Sequence, residues 1–319
     1  MKDILYHYCS LETFNSIISN QTIRLSDCTK TNDNQETKWI ANLVKDIFLS
    51  KIKDSELFCT KYCITDSLIE KIGLQIDATI NKVFHENTRK MVTYIACFSE
   101  QGDLLSQWRG YANDAKGISL GFNKRVLKTF DTGGYNFHFK KVMYSIKEQR
   151  KYIENYLGEL VTAYELAEAN EINNETLNEF IWDMCLHIGA IRNDSPQFKN
   201  NAFKEEKEWR LYVNNHLSNV YSYEHDNNDE VAGQIDENYN KKCQYNNGFV
   251  REKISFRTTQ TKLIPYFDLN FTKIKDNFLK EVIIGSKCEV TIFDIQFFLA
   301  SQGFDFDKIK IYKSNATYQ

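Results

Sequence analysis

The sequence predicts an α+β fold built on a mixed, mainly antiparallel sheet, and three observations predict it. Short runs of alternating apolar residues recur from Ile4 to Tyr312, bounded by polar turns. Between them lie segments whose apolar residues return every three or four positions, the period of a helix packed on one face. Two such segments, about 146–169 and 175–192, are long and adjacent and interrupt the strands, which reads as an inserted helical pair. No solenoid-type repeat is visible, and the two prolines and 13 glycines mark no linker, so a single domain is expected over 1–319.

Each element has its own signal. The run Ile4 to Cys9 reads as a strand with Leu5, His7 and Cys9 on one face and Ile4, Tyr6 and Tyr8 on the other. A strand that is apolar on both faces belongs in the middle of a sheet, so His7 is expected to be partly buried. Ser10 caps a short helix through Ile18, and Thr22 to Asp27 is a second strand. From Asn32 an Asn or Asp cap opens a helix with Ile40, Leu43, Val44, Ile47 and Phe48 on one face. Another helix covers Asp66 to Glu86.

The centre of the chain is CFSEQGDLLSQWRGYANDAKGISLGF, Cys97 to Phe122. A strand from Tyr94 to Ser99 leads into a polar turn, a short helix carrying Trp108, Arg109 and Tyr111, and a returning strand, Gly117 to Phe122. Strand ends and turns of this kind form the lips of clefts. Trp108 and Tyr111 also fit a plainer account, in which they close a core. Phe137 to Tyr144 is a further strand. After the helical pair, Glu208 to Val213 alternates Trp209, Leu211 and Val213 against Glu208, Arg210 and Tyr212. The tract 214–249 is polar and without period, the composition of a long mobile loop. Strands follow at Val250 to Phe256, Leu263 to Phe271 and Leu279 to Gly285. A helix, Ile292 to Ser301, and a last strand, Lys308 to Tyr312, close the chain.

Composition narrows the function classes. The 319 residues are 42% hydrophobic, enough for a sizeable core, and 40 basic against 43 acidic side chains give a formal charge of −3. No global basic field draws in nucleic acid or an anionic membrane. There is no run of 18 apolar residues, and the start MKDILYHYC lacks the apolar core of a signal peptide, so a cytoplasmic location is expected. The eight cysteines are scattered without a CxxC, which fits reduced thiols and no bound metal. Phosphate-loop, dinucleotide-fold, zinc-protease and serine-hydrolase signatures are absent.

What remains is a set of polar residues at strand positions: His7, Ser99, Arg109, Tyr111, Glu206, Glu208 and Arg210. In KEEKEWR the carboxylates of Glu206 and Glu208 lie at and just before a strand start, so both can point to one face. A carboxylate beside a sugar can hold a ribose hydroxyl or stabilise an oxocarbenium-like transition state. A solvated charged strand edge is the competing account.

The order of these motifs resembles the large, mostly bacterial family of the domain of unknown function numbered 2971. The matching pieces are LYHY at Leu5 to Tyr8, the segment with Asn32, Asp33 and Glu36, the block Cys97 to Phe122, the strand with Glu206, Glu208 and Arg210, and VIIG at Val282 to Gly285. The opening LYHYCSLETFNSIISNQTIRLS is also similar to the start of nucleic-acid-modifying ADP-ribosyltransferases and RNA phosphotransferases. That second resemblance implies a split sheet, NAD as substrate, and a nucleic-acid or protein acceptor. It implies His7 at the NAD ribose, Tyr111 or Trp108 stacked on nicotinamide, and Glu208 holding the ribose 2′-hydroxyl, with Glu206 as the second catalytic carboxylate. Ser99, Trp108, Arg109, Tyr111 and Arg210 then line the cofactor site. A toxin or anti-phage effector is the role that such an enzyme implies. The reading from another class is a non-catalytic sensor module whose aromatic-lined cleft takes a nucleotide or a peptide. In either case His7 and Glu208 are expected to face a shared cleft.

Overall fold

The first strand, β1 (Ile4–Cys9), runs through the middle of the sheet, antiparallel to β3 (Met91–Ser99) on one side and to β4 (Ile118–Asn123) on the other. This is the position its two apolar faces require. The structure, a computed structural model, describes residues 3–30, 36–86, 91–131, 137–167, 174–216, 250–251 and 254–316. The chain divides into two compact units. One comprises Met1–Asn32, Val92–Val142 and Lys204–Gln319, and the other Asp33–Met91 and Met143–Phe203.

The first unit holds the sheet. With β2 (Thr22–Asp27), β5 (His138–Lys141), β6 (Glu208–His216), β7 (Val250–Arg251), β8 (Ser255–Thr258), β9 (Leu263–Asn270), β10 (Leu279–Ile284) and β11 (Lys310–Lys313) it is 11-stranded. The main path is β11-β10-β4-β1-β3-β2-β9-β7, and β6 branches from β3 to carry β5. All pairings with a defined register are antiparallel except that of β10 with β11. The mixed, mainly antiparallel α+β core read from the sequence is therefore what forms.

Alternation decides which face of this sheet is greasy. Leu5 and Cys9 of β1, Tyr94, Ala96 and Phe98 of β3, Leu120 and Phe122 of β4, and Leu211 and Val213 of β6 enter one core. Two helices contribute to the same core, α1 (Leu11–Asn20) through Phe14, Ile17 and Ile18, and a late helix (Ile292–Ser301) through Ile295 and Leu299. Burial of such side chains contributes about 1.5–3 kcal/mol each before entropy is counted. Ser10 caps α1 by accepting from the Thr13 N–H at 3.1 Å, as its sequence position predicts. The opposite face carries a smaller cluster of Tyr8, Trp108, Ala112, Ala115 and Ile283.

The second unit is helical. It contains α2 (Glu36–Asp54), α3 (Glu56–Lys61), α4 (Asp66–Ile80), and the two long helices that follow β5. The long pair spans Ile146–Leu166 and Asn174–Asp194. The apolar stripes of this pair are not buried against each other alone. Instead Ile153, Leu157, Phe180 and Ile188 share one core with Ile40, Val44, Phe48, Phe58 and Ile72. The insertion therefore takes α2 to α4 with it. Of the segment Asn32, Asp33 and Glu36, the first two lie outside the described residues, as do the Glu36 side chain and most of the polar tract from 217 to 249. Residues 214–216 of that tract extend β6.

Candidate functional site

The site is built where the end of β3 meets the start of β6. Two backbone contacts fasten it: the Ser99 hydroxyl donates to the Glu206 carbonyl at 2.7 Å, and the Glu100 N–H donates to the Lys207 carbonyl at 3.1 Å. Lys207 has φ of 46°, a left-handed turn between the 3-10 segment Asn201–Glu206 and β6. Because of that turn, Glu206 does not follow the strand alternation of Glu208, and the two carboxylates acquire different partners.

From Ser99 the chain crosses Gln101 and Asp103 into the helix Leu105–Tyr111, α5 in chain order. Tyr8 holds this crossing. Its hydroxyl donates to the Gln101 carbonyl at 2.8 Å and accepts the Leu104 N–H at 2.9 Å, and burial drives its pKa upward. Trp108 is fully buried against Tyr8, edge to face at 5.0 Å, and its indole N–H donates to Asp103 at 2.7 Å. It is a core residue, and its expected place in a cofactor site is corrected accordingly: nothing of the ring reaches solvent.

Tyr111 lies one turn further on and is 45% exposed, while its hydroxyl donates to Glu206 Oε1 at 3.2 Å. Residues three apart share a helix face, so Trp108 anchors the side of α5 from which Tyr111 emerges. Arg109 is exposed, but it stands two residues from Tyr111 and so projects elsewhere on the helix. Ser99, Trp108, Tyr111 and Glu206 are thus brought into one neighbourhood.

Glu208 and Arg210 belong to a different arrangement. The guanidinium meets the carboxylate through two bonds, Nε to Oε1 at 2.8 Å and the terminal nitrogen to Oε2 at 3.2 Å, and the two side chains are 7% and 4% exposed. Paired charges this deeply buried serve the fold unless a ligand displaces one of them. Their face of β6 is the one opposite Leu211 and Val213, hence away from the main core.

His7 takes the other face. It alternates with Leu5 and Cys9 and stands 5.9 Å from Phe98, both on the main-core side. Its Nδ1 is 2.9 Å from the Cys97 carbonyl. The residue as a whole is of intermediate exposure, but desolvation of the imidazole holds its pKa below the ordinary value, against the pull of that hydrogen bond. The shared cleft for His7 and Glu208 is therefore not formed. Both lie on one sheet, but they point through opposite faces of it.

Two glycines that the motifs contain have a steric reason here. After α5 the chain passes through Asn113, Asp114 and Ala115 with φ of 48°, 55° and 63°, a run of left-handed residues that folds back on the sheet. A Cβ on Gly117 would fall 2.1 Å from the Cys9 carbonyl oxygen, and one on Gly285 would fall 2.2 Å from that of Ala115. Only glycine permits these approaches.

Residues 107–211 match the model of a family described as "Protein of unknown function (DUF2971)". Over that stretch the chain is DUF2971-like. The matched segment is about a third of the 319 residues and holds Trp108, Tyr111, Gly117, Phe122, Glu206, Glu208 and Arg210. No curated protein and no solved structure matches the chain. The family description carries no activity with it. Among the described residues no group of three or more His, Cys, Asp or Glu is placed to hold a metal ion, the cysteines are free, and no helix is long and apolar enough to cross a membrane.

Sequence reasoning placed Glu100 at the lip of the cleft but missed Tyr8, Asp103 and Trp209 as members of the surroundings. The Trp209 indole donates to Glu100 Oε1 at 2.9 Å, and Lys141 reaches the same oxygen at 2.9 Å. Burial is the largest single influence on Glu100 and works against ionisation, but these two bonds together with the charges of Lys141 and Lys124 hold its carboxyl below the usual range. No local signal in the sequence connects residues 100, 141 and 209.

Proposed function

We propose that the chain is a nucleotide-binding sensor module whose recognition surface is the Tyr111 ring held by Glu206. One observation carries this reading: an exposed tyrosine ring whose hydroxyl is tied to a buried carboxylate at 3.2 Å. A fixed aromatic face offers a stacking surface to a nucleobase, worth about 1–3 kcal/mol per base. A carboxylate at its edge is the acceptor that a ribose hydroxyl needs. The ring is ordered before the ligand arrives, because Trp108 and Tyr8 lock the helix beneath it, and this lowers the entropic cost of binding.

A second reading keeps the same surface and adds chemistry, as an NAD-dependent ADP-ribosyltransferase-like enzyme acting on nucleic acid or protein, for instance in phage defence. The observation in its favour is that Glu206, rather than Glu208, is the carboxylate brought to an aromatic ring. In that version Glu206 takes the role of holding the ribose while positive charge develops at the glycosidic carbon. Titration of AMP and NAD by calorimetry, with nicotinamide release followed in parallel, tests both. Binding without release supports the sensor, release that depends on Glu206 supports the enzyme, and the absence of binding by either nucleotide removes both.

A further inference from the structure

On the main-core side of the sheet, Lys124 begins a one-turn helix, Lys124–Lys128, immediately after β4. Its side chain is laid over the face of Trp209, with the ammonium 4.0 Å from the ring centroid, and the residue is only 7% exposed. A lysine so covered normally meets a carboxylate, because an isolated buried charge is costly. Here a carboxylate that attracts it is already engaged: Glu100 Oε1 accepts from both Trp209 and Lys141. Asp3 is in turn 3.5 Å from Arg125. Among the described residues Lys124 has the Trp209 face and no ion pair.

The surroundings add positive charge. Lys141 pairs with Trp209 across the β5 and β6 ladder, so both side chains leave the sheet on the same side. Lys128 and Lys141 both repel the Lys124 ammonium, while Glu100 and Asp3 attract it. Burial is the largest influence on Lys124 and lowers its pKa, which is the direction expected of an ammonium awaiting a counter-charge. With Asp3 drawn to Arg125, three ammoniums stand against the one carboxylate of Glu100, an excess matched by a dianion.

We propose that Lys124, over the Trp209 face, and Lys141, opposite Trp209 in the strand ladder, form a binding site for a dianionic phosphate group. Lysine is a compact charge donor well suited to phosphate oxygens, and the Trp209 face keeps the Lys124 ammonium in place without consuming its hydrogen-bond donors. This site is separate from the Tyr111 surface, because Trp209 packs against the main core, whereas the helix that carries Tyr111 is anchored through Trp108 in the smaller cluster on the opposite face.

The test is calorimetric titration of the full chain with inorganic phosphate, and with AMP against adenosine to separate free phosphate from a phosphate ester. Lys124→Met keeps the apolar stem over Trp209 and removes the charge. Phosphate affinity is expected to fall roughly tenfold in that variant, about 1.4 kcal/mol, and about threefold in Lys141→Met, whose exposed side chain leaves the fold untouched. Tyr111→Ala is expected to leave phosphate binding unchanged, which keeps this outcome apart from that of the nucleotide surface. AMP binding that loses affinity in Lys124→Met, where adenosine binding does not, assigns the site to phosphate esters. Absence of phosphate binding by the wild type, or affinity unaltered in both lysine variants, overturns the proposal.

Discussion

Glu208→Gln distinguishes a carboxylate that holds the fold from one that does chemistry. In the folded chain Glu208 and Arg210 are buried together and share two hydrogen bonds of 2.8 and 3.2 Å. The amide keeps the size of the side chain but leaves the Arg210 guanidinium in its buried place without the Glu208 charge. Removing one partner of a buried pair costs about 3–5 kcal/mol. With a urea dependence of roughly 2.5 kcal/mol per molar, the unfolding midpoint of the sheet unit should fall by about 1–2 M. Trp209 lies on the neighbouring strand position, so its fluorescence, isolated by difference from Trp209→Phe, reports on that unit rather than on the helical one. The double variant Glu208→Met with Arg210→Met should recover most of the loss, because matched apolar replacements of buried pairs are often neutral. An unchanged midpoint in Glu208→Gln, accompanied by lost nicotinamide release, would refute the structural role and return Glu208 to the chemistry.

Three further outcomes follow from the same geometry. Gly117→Ala places a Cβ 2.1 Å from the Cys9 carbonyl oxygen, so it should destabilise the sheet unit by about 3 kcal/mol, the upper end of overpacking effects, readable as a lower thermal midpoint. Tyr111→Phe removes the hydroxyl that donates to Glu206 at 3.2 Å and should cost about 1 kcal/mol in urea unfolding, while weakening AMP binding because the ring is less firmly held. His7 has a folded-state pKa below its unfolded value of about 6.5, so its neutral form is the one that stabilises the fold. That contribution is fully present above pH 6.5 or so and is lost as pH falls from there towards the folded pKa. Urea midpoints between about pH 5 and 7.5 should show this decline in the wild type and a flatter profile in His7→Asn.

Much of the fold was legible because its signals are local. The bounds of β1, β2 and the helix Ile292–Ser301 follow from alternation, a serine cap and a threonine capping box. The helices Glu56–Lys61 and Lys124–Lys128 went unread because a turn or two of chain has no period to detect. The site was legible as a set of residues and not as an arrangement. β1 is apolar on both faces, so alternation alone cannot say whether His7 or Tyr8 looks towards the face that carries Glu208; strand pairing decides that, and pairing is a long-range property. Trp108 and Tyr111 both read as aromatic members of a short helix, yet one is sealed in a core and the other is 45% exposed, a difference set by Tyr8 arriving from a distant strand. The Lys124 contact with Trp209 spans 85 residues and leaves no mark in either neighbourhood of the sequence.

The measurement closest to the central claim is calorimetry of AMP and NAD binding to the wild type and to Tyr111→Ala, with folding checked by urea midpoints. The account predicts that at least one nucleotide binds the wild type and that its affinity drops by about 1–3 kcal/mol, the value of one base stacked on an aromatic ring, in a variant that is otherwise folded. Nucleotide binding that is indifferent to the loss of the Tyr111 ring, or a wild type that binds neither nucleotide, contradicts it.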